Sequence, residues 1–72
     1  MRHSEPRRQD ANFALLDILM EAVEAHPDQR FGQLLINLSI VTYNEHGELI
    51  DPFSEESTTT LRRVKKRRAV SP

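Results

Sequence analysis

The side chains best able to hold a metal ion or move a proton are His3, His26 and His46, and they stand 23 and 20 residues apart. Metal-binding histidines usually arrive in close pairs, on one helical turn or across one short loop. No two of these histidines do so, and His26 has only Glu24 and Asp28 beside it. Asp17, Glu21 and Glu24 are spaced like paired acids on a helix, but a solvated face accounts for them without any apolar pocket to raise a pKa. Ser39, Ser54 and Ser57 lie in no nucleophile-elbow context. Gly32 and Gly47 are the two glycines of the chain, which excludes a glycine-rich phosphate loop. With no cysteine, there is also no disulfide framework, thiolate site or cysteine nucleophile. Asn37-Leu38-Ser39 matches a glycosylation sequon by chance inside a helical pattern. The expectation is a protein with no catalytic residue, no metal, no cofactor and no small-molecule substrate.

Two polar constellations remain. Arg30, Gln33 and Asn37 recur at i, i+3 and i+7 and would form a stripe able to recognise a backbone, a carboxylate or a base edge. A plainer reading has Arg30 paired with a carboxylate and the two amides bonded to a loop. The second constellation is Arg62, Arg63, Lys65, Lys66, Arg67 and Arg68, six of the ten basic side chains. Residues 1–61 carry four basic against eleven acidic side chains, a net of −7 hidden beneath the overall −1. An acidic body with a basic run points to contact with nucleic acid or an acidic partner through that run. Such contact would be salt-sensitive and non-specific. Solubility, or self-neutralisation against the acidic body, is the competing reading.

The elements that would position these groups follow from pattern. Residues 1–9 lack apolar anchors and read as a disordered arm. Asp10 can cap a helix over 10–25, rich in Ala, Leu, Met and Glu. On its wheel Phe13, Leu15, Leu16, Leu19, Met20, Ala22 and Val23 share one face, with Ile18 at the border. That arc spans about 200°, wider than the ~100° stripe of a surface helix. Such a helix is either central to a small bundle or shared with another subunit. His26-Pro27 ends it.

Asp28 can cap a second helix over 28–40, in which Phe31, Leu34, Leu35 and Leu38 fall at i, i+3, i+4 and i+7. Residues 41–54 form a turn-rich connection, with a short β-hairpin about Asn44-Glu45-His46-Gly47 as an alternative for part of it. Asp51-Pro52-Phe53 reads as an Asx-type turn that drops one aromatic ring onto the core. Ser54 then caps a third helix over 55–66, weakened by Thr58-Thr59-Thr60, and 62–72 forms a disordered basic tail. The fold expected is an all-α, three-helix domain spanning 10–61, which 72 residues suffice to build with a small stability margin.

The stretch Pro27-Asp28-Gln29-Arg30-Phe31-Gly32-Gln33-Leu34-Leu35-Ile36-Asn37, followed by Asp51-Pro52-Phe53, resembles a group of short bacterial and phage proteins. Their pattern is P-D-x-R-x-G-Q-L-L-x-N, a variable loop, D-P-F and an acidic, leucine-bearing helix. The likeness covers roughly residues 10–61. It departs from the group after Phe53, where this chain turns threonine-rich and then basic. The resemblance implies a small helical fold and a bacterial or phage source, and it implies no mechanism.

These readings converge on a non-catalytic, cytoplasmic interaction protein whose helical body binds a protein partner or itself. A nucleic-acid-associated regulator using residues 62–68 is the alternative. No apolar run approaches the roughly 18 residues needed to cross a bilayer, so no membrane contact is expected.

Overall fold

A computed structural model describes residues 4–70 of the chain, with side chains from residue 7 to residue 68. His3, Arg2 and the ends of the expected arm and tail lie outside the described residues. Three helices follow one another: α1 (Ser4–Ala25), α2 (Phe31–Asn37) and α3 (Ser57–Val70). The all-α, three-helix architecture is the expected one. Helix α1 is the spine, with α3 packed along it and α2 covering less of it.

Helix α1 starts six residues before the expected Asp10 cap, so residues 4–9 are helical rather than a disordered arm. Pro6 falls in the first turn, where a missing N–H costs nothing. Two residues further on, Arg8 grips Glu56 with Nε to Oε1 at 2.8 Å and Nη2 to Oε2 at 3.0 Å. That bidentate bond fixes the start of α1 against the approach to α3. The core face of α1 also differs from the expected one. Ala11 (2% exposed) and Ile18 (8%) are buried, whereas Phe13, Leu16, Met20 and Val23 remain 44–60% exposed. Leu34 of α2 and Val64 and Thr60 of α3 are buried as well. The small Ala11 side chain suits close approach of two helices.

Helix α2 is shorter than the expected 28–40, and both ends have local causes. The Gln29 N–H donates to the His26 carbonyl at 3.1 Å, so Pro27 and Asp28 form the centre of a turn. Asp28 is spent there, and Arg30, with extended backbone, is the N-cap instead. The Gln33 side chain accepts the Arg30 N–H at 2.8 Å. At the other end, Ser39 N–H donates to Ile36 O (3.0 Å) and Ile40 N–H to Leu35 O (2.9 Å), a Schellman closure. Ser39 occupies the left-handed position, at φ 66°. Residues 38–40 therefore leave the helix.

The connection holds one isolated antiparallel bridge, Tyr43 with Leu49, and no strand among the described residues. Asn44 organises it, its Oδ1 accepting the N–H of His46 (2.8 Å) and Glu48 (3.0 Å), with Gly47 at φ 79°. The Asx turn at Asp51 forms as expected: Oδ1 accepts Phe53 N–H and Oδ2 accepts the Ser54 hydroxyl, each at 2.9 Å. Its ring does not reach the core, because Phe53 is 95% exposed. The turn's bonds are local to Asp51 and aim the backbone without supplying an apolar neighbour.

Helix α3 begins at Ser57 rather than at 55, and the Ser54 hydroxyl donates to Asp51 in the turn that precedes it. The Glu56 carbonyl accepts the N–H of Thr59 (3.0 Å) and Thr60 (3.1 Å), closing the first turn. The helix also runs past 66 to Val70, so Arg62 through Arg68 are helical, not a disordered tail. Lys and Arg are good helix formers, and cations suit the negative carboxy-terminal end.

A non-glycine residue in the left-handed region costs roughly 1 kcal/mol. Ser39→Gly is therefore expected to stabilise the fold by about 0.5–1 kcal/mol, since the Ser39 carbonyl survives the change. Urea denaturation of the two chains checks this, read as a higher midpoint at unchanged slope.

Candidate functional site

The six cations of the basic run separate into two sets once α3 is formed. Arg63 turns inward, its guanidinium bonding Glu55 through Nη1 to Oε2 (2.7 Å) and Nη2 to Oε1 (2.8 Å). The same group donates from Nε to the Ser39 carbonyl (2.8 Å) and from Nη2 to the Ile40 carbonyl (3.2 Å). Arg67 Nε donates to the Asn37 carbonyl (2.8 Å), and Arg68 Nη2 to Glu21 (3.0 Å). These three cations tie α3 to the end of α2 and to α1. Arg62, Lys65 and Lys66 stand at i, i+3 and i+4 on the exposed side of α3 and make no ion pair among the described residues. Arg7 of α1 and Arg62 line one shallow hollow at the rim of that face.

The stripe on α2 is largely occupied by local bonds. Gln33 caps Arg30, and the Asn37 amide donates to Gln29 Oε1 at 3.3 Å. Arg30 is exposed and makes no ion pair among the described residues. The expected pairing of Arg30 with a carboxylate is thus not found, while the amides do bond nearby groups. Asn37 shares a hollow of about 280 Å³ with His26, Gln29, Arg67 and Arg68, lined also by the apolar Ala22, Leu34 and Leu38. His26 and His46 are exposed and far apart in the chain, and His46 sits 3.9 Å from Glu45. Among the described residues no three His, Asp or Glu side chains gather where a metal ion could be held.

No family model, curated protein or solved structure matches the chain. Function must therefore be argued from its surfaces.

The most distinctive surface lies on α1. Phe13, Leu16, Met20 and Val23 are 59%, 56%, 60% and 44% exposed and fall three, seven and ten residues along the helix from Phe13. This is the a–d–a–d spacing of a helix that expects a partner along its seam. Beside it runs an open groove of about 310 Å³ lined by Leu15, Leu16, Leu19, Leu35 and Ile40. The wide apolar arc was legible in the sequence. Its division into a buried side about Ala11 and Ile18 and an open seam was not, because it depends on where α3 lies. Neither the Arg63 anchor nor the Glu55 that receives it stands out in sequence, since each looks like one more member of a charged run.

Hydrogen bonds from Arg63 hold the Glu55 carboxyl below the ordinary glutamate range, against the opposing effect of burial. Arg8 does the same for the more exposed Glu56. A lowered folded-state pKa contributes stability above the unfolded value near ~4.3, and that contribution is lost as pH falls through the lowered folded value. Acid titration of unfolding should therefore show stability falling below about pH 4.5. Glu55→Gln should flatten that limb, whereas Lys66→Ala should leave its shape unchanged, as read by urea midpoints across pH.

Proposed function

We propose that this chain is a small non-catalytic interaction protein whose helical body engages another polypeptide, a partner or a second copy, through the outer seam of α1. The observation that carries this reading is the line Phe13, Leu16, Met20 and Val23, left about half exposed beside an apolar groove. Covering what remains exposed on each would contribute about 1 kcal/mol per side chain. Contiguous apolar surface of this kind on a small domain marks an interaction site more often than chance exposure. Among the described residues no helix is long and apolar enough to cross a membrane, so a bilayer-spanning role for the seam has no support. A bacterial or phage source rests on the Pro27–Asn37 and Asp51–Phe53 resemblance alone.

The test is a neutral double substitution, Leu16→Gln with Met20→Gln, on exposed positions where circular dichroism should report an unchanged helix content. The parent chain is expected to self-associate in sedimentation velocity or to capture a defined protein, and the variant to do neither. A parent that sediments as a monomer and captures nothing the variant fails to capture would refute the reading.

A second reading, contact with nucleic acid through α3, is favoured by one specific observation. Arg62, Lys65 and Lys66 share an outward face with no ion pair among the described residues. Because Arg63, Arg67 and Arg68 are engaged by the protein itself, fewer cations are available for phosphates than the run suggests. Each phosphate neutralised adds about −0.9 to the slope of log K against log salt on duplex DNA. The expected slope is then roughly −3, not the steeper value near −5 that six free cations would produce. Fluorescence anisotropy with labelled duplex DNA over a salt series measures it directly.

A further inference from the structure

The charges beside the α1 seam say what kind of chain it fits, an inference that rests on the interaction reading above. With Phe13, Leu16, Met20 and Val23 as the a and d positions, the flanking e positions are Asp17 and Glu24. They lie seven residues apart, about 10.5 Å along the helix at 1.5 Å per residue. Neither makes an ion pair among the described residues, and Glu21, on the next strip of surface, is the carboxylate that holds Arg68. The g positions are Asn12 and Leu19, which open onto the groove with Leu35 and Ile40. No Lys or Arg occurs between Arg8 and Arg30. The seam therefore has one anionic edge and one apolar edge.

A second copy fits this surface poorly. In an antiparallel pairing of two α1 helices, e positions face e positions, so Asp17 and Glu24 would meet the same carboxylates. In a parallel pairing e faces g, which would set Glu24 and Asp17 against Leu19 and Asn12. Neither arrangement neutralises the edge. The outer face of α3, the chain's own basic surface, offers Arg62, Lys65 and Lys66 but no apolar row to fill the seam.

We infer that the α1 seam is the docking site for an amphipathic helix of another protein, apolar along one face and bearing Lys or Arg two turns apart on the flank that meets Asp17 and Glu24. The groove on the other edge takes that helix's remaining apolar side chains. The recognising chemistry is thus a short heptad-patterned basic helix.

Three synthetic peptides of about three heptads test this on the full chain. One carries Leu at a and d, Lys on the flank that meets Asp17 and Glu24, and Leu on the flank that meets the groove. The second has Glu in place of Lys, and the third is a scramble of the first with no apolar face. The Lys-flanked peptide is expected to bind about tenfold more tightly than either of the others. Leu16→Gln with Met20→Gln should abolish that binding. Asp17→Lys with Glu24→Lys should reverse the preference toward the Glu-flanked peptide, by roughly fivefold or more. Equal binding of the first two peptides, binding of neither, or equal binding of the scramble would overturn the inference. Self-association of the parent chain that the Gln variant abolishes would overturn it too, while leaving the interaction reading intact. If seam substitution changes no association of any kind, both fail.

Discussion

The guanidinium of Arg63 is the contact on which the arrangement of the three helices turns. It reaches the Glu55 carboxylate before α3 and two carbonyls, of Ser39 and Ile40, just past the end of α2. One planar group thus joins three chain segments that share no continuous secondary structure. Breaking it would leave a mostly covered carboxylate and two carbonyls without a donor, a cost of a few kcal/mol in a domain of small total stability. The carbonyl of Ser39 is presented to it because Ser39 takes the left-handed conformation that closes α2. Thr60 completes the site by donating its hydroxyl to Glu55 at 2.7 Å, so this buried polar residue is satisfied.

That anchor explains why the core is thin and why apolar surface is left over. The residues buried on α1 and α3 are small or branched, Ala11, Ile18, Thr60 and Val64, and much of the remaining surface of α3 is cationic. Helix α2, at seven residues, spans about 10.5 Å beside a helix of about 33 Å. It cannot cover the whole second face of α1. The outer seam is the geometric remainder of a long, doubly apolar helix matched with one short neighbour and one polar one.

The same division sorts the charges. Arg63, Arg67 and Arg68 are engaged by carbonyls and carboxylates of the fold, and Arg62, Lys65 and Lys66 face solvent. Anionic edge and cationic face then belong to different helices, α1 and α3. The protein therefore offers two surfaces of opposite character, an apolar seam with a carboxylate edge and a patch formed by Arg62, Lys65 and Lys66.

Local chemistry was readable from the residues themselves. The amphipathic run of α1, the stop at His26-Pro27 and the Asn44 and Asp51 turns all depend on near neighbours in the chain. So does the surplus of apolar residues on α1. What tertiary structure alone decided was the destination of groups whose local options were degenerate. The carbonyls of Ser39 and Ile40 could have faced solvent and instead accept Arg63, which stands 24 and 23 residues away in the chain. Phe53 could have faced either way and faces out. Among six adjacent cations, the choice of Arg63 as an anchor and Lys66 as a free charge depends on a 100° step around α3 and on where Glu55 and Ser39 happen to lie. Sequence determines how much apolar and charged surface must be placed; only the packing of the three helices determines which of it is left to meet another molecule.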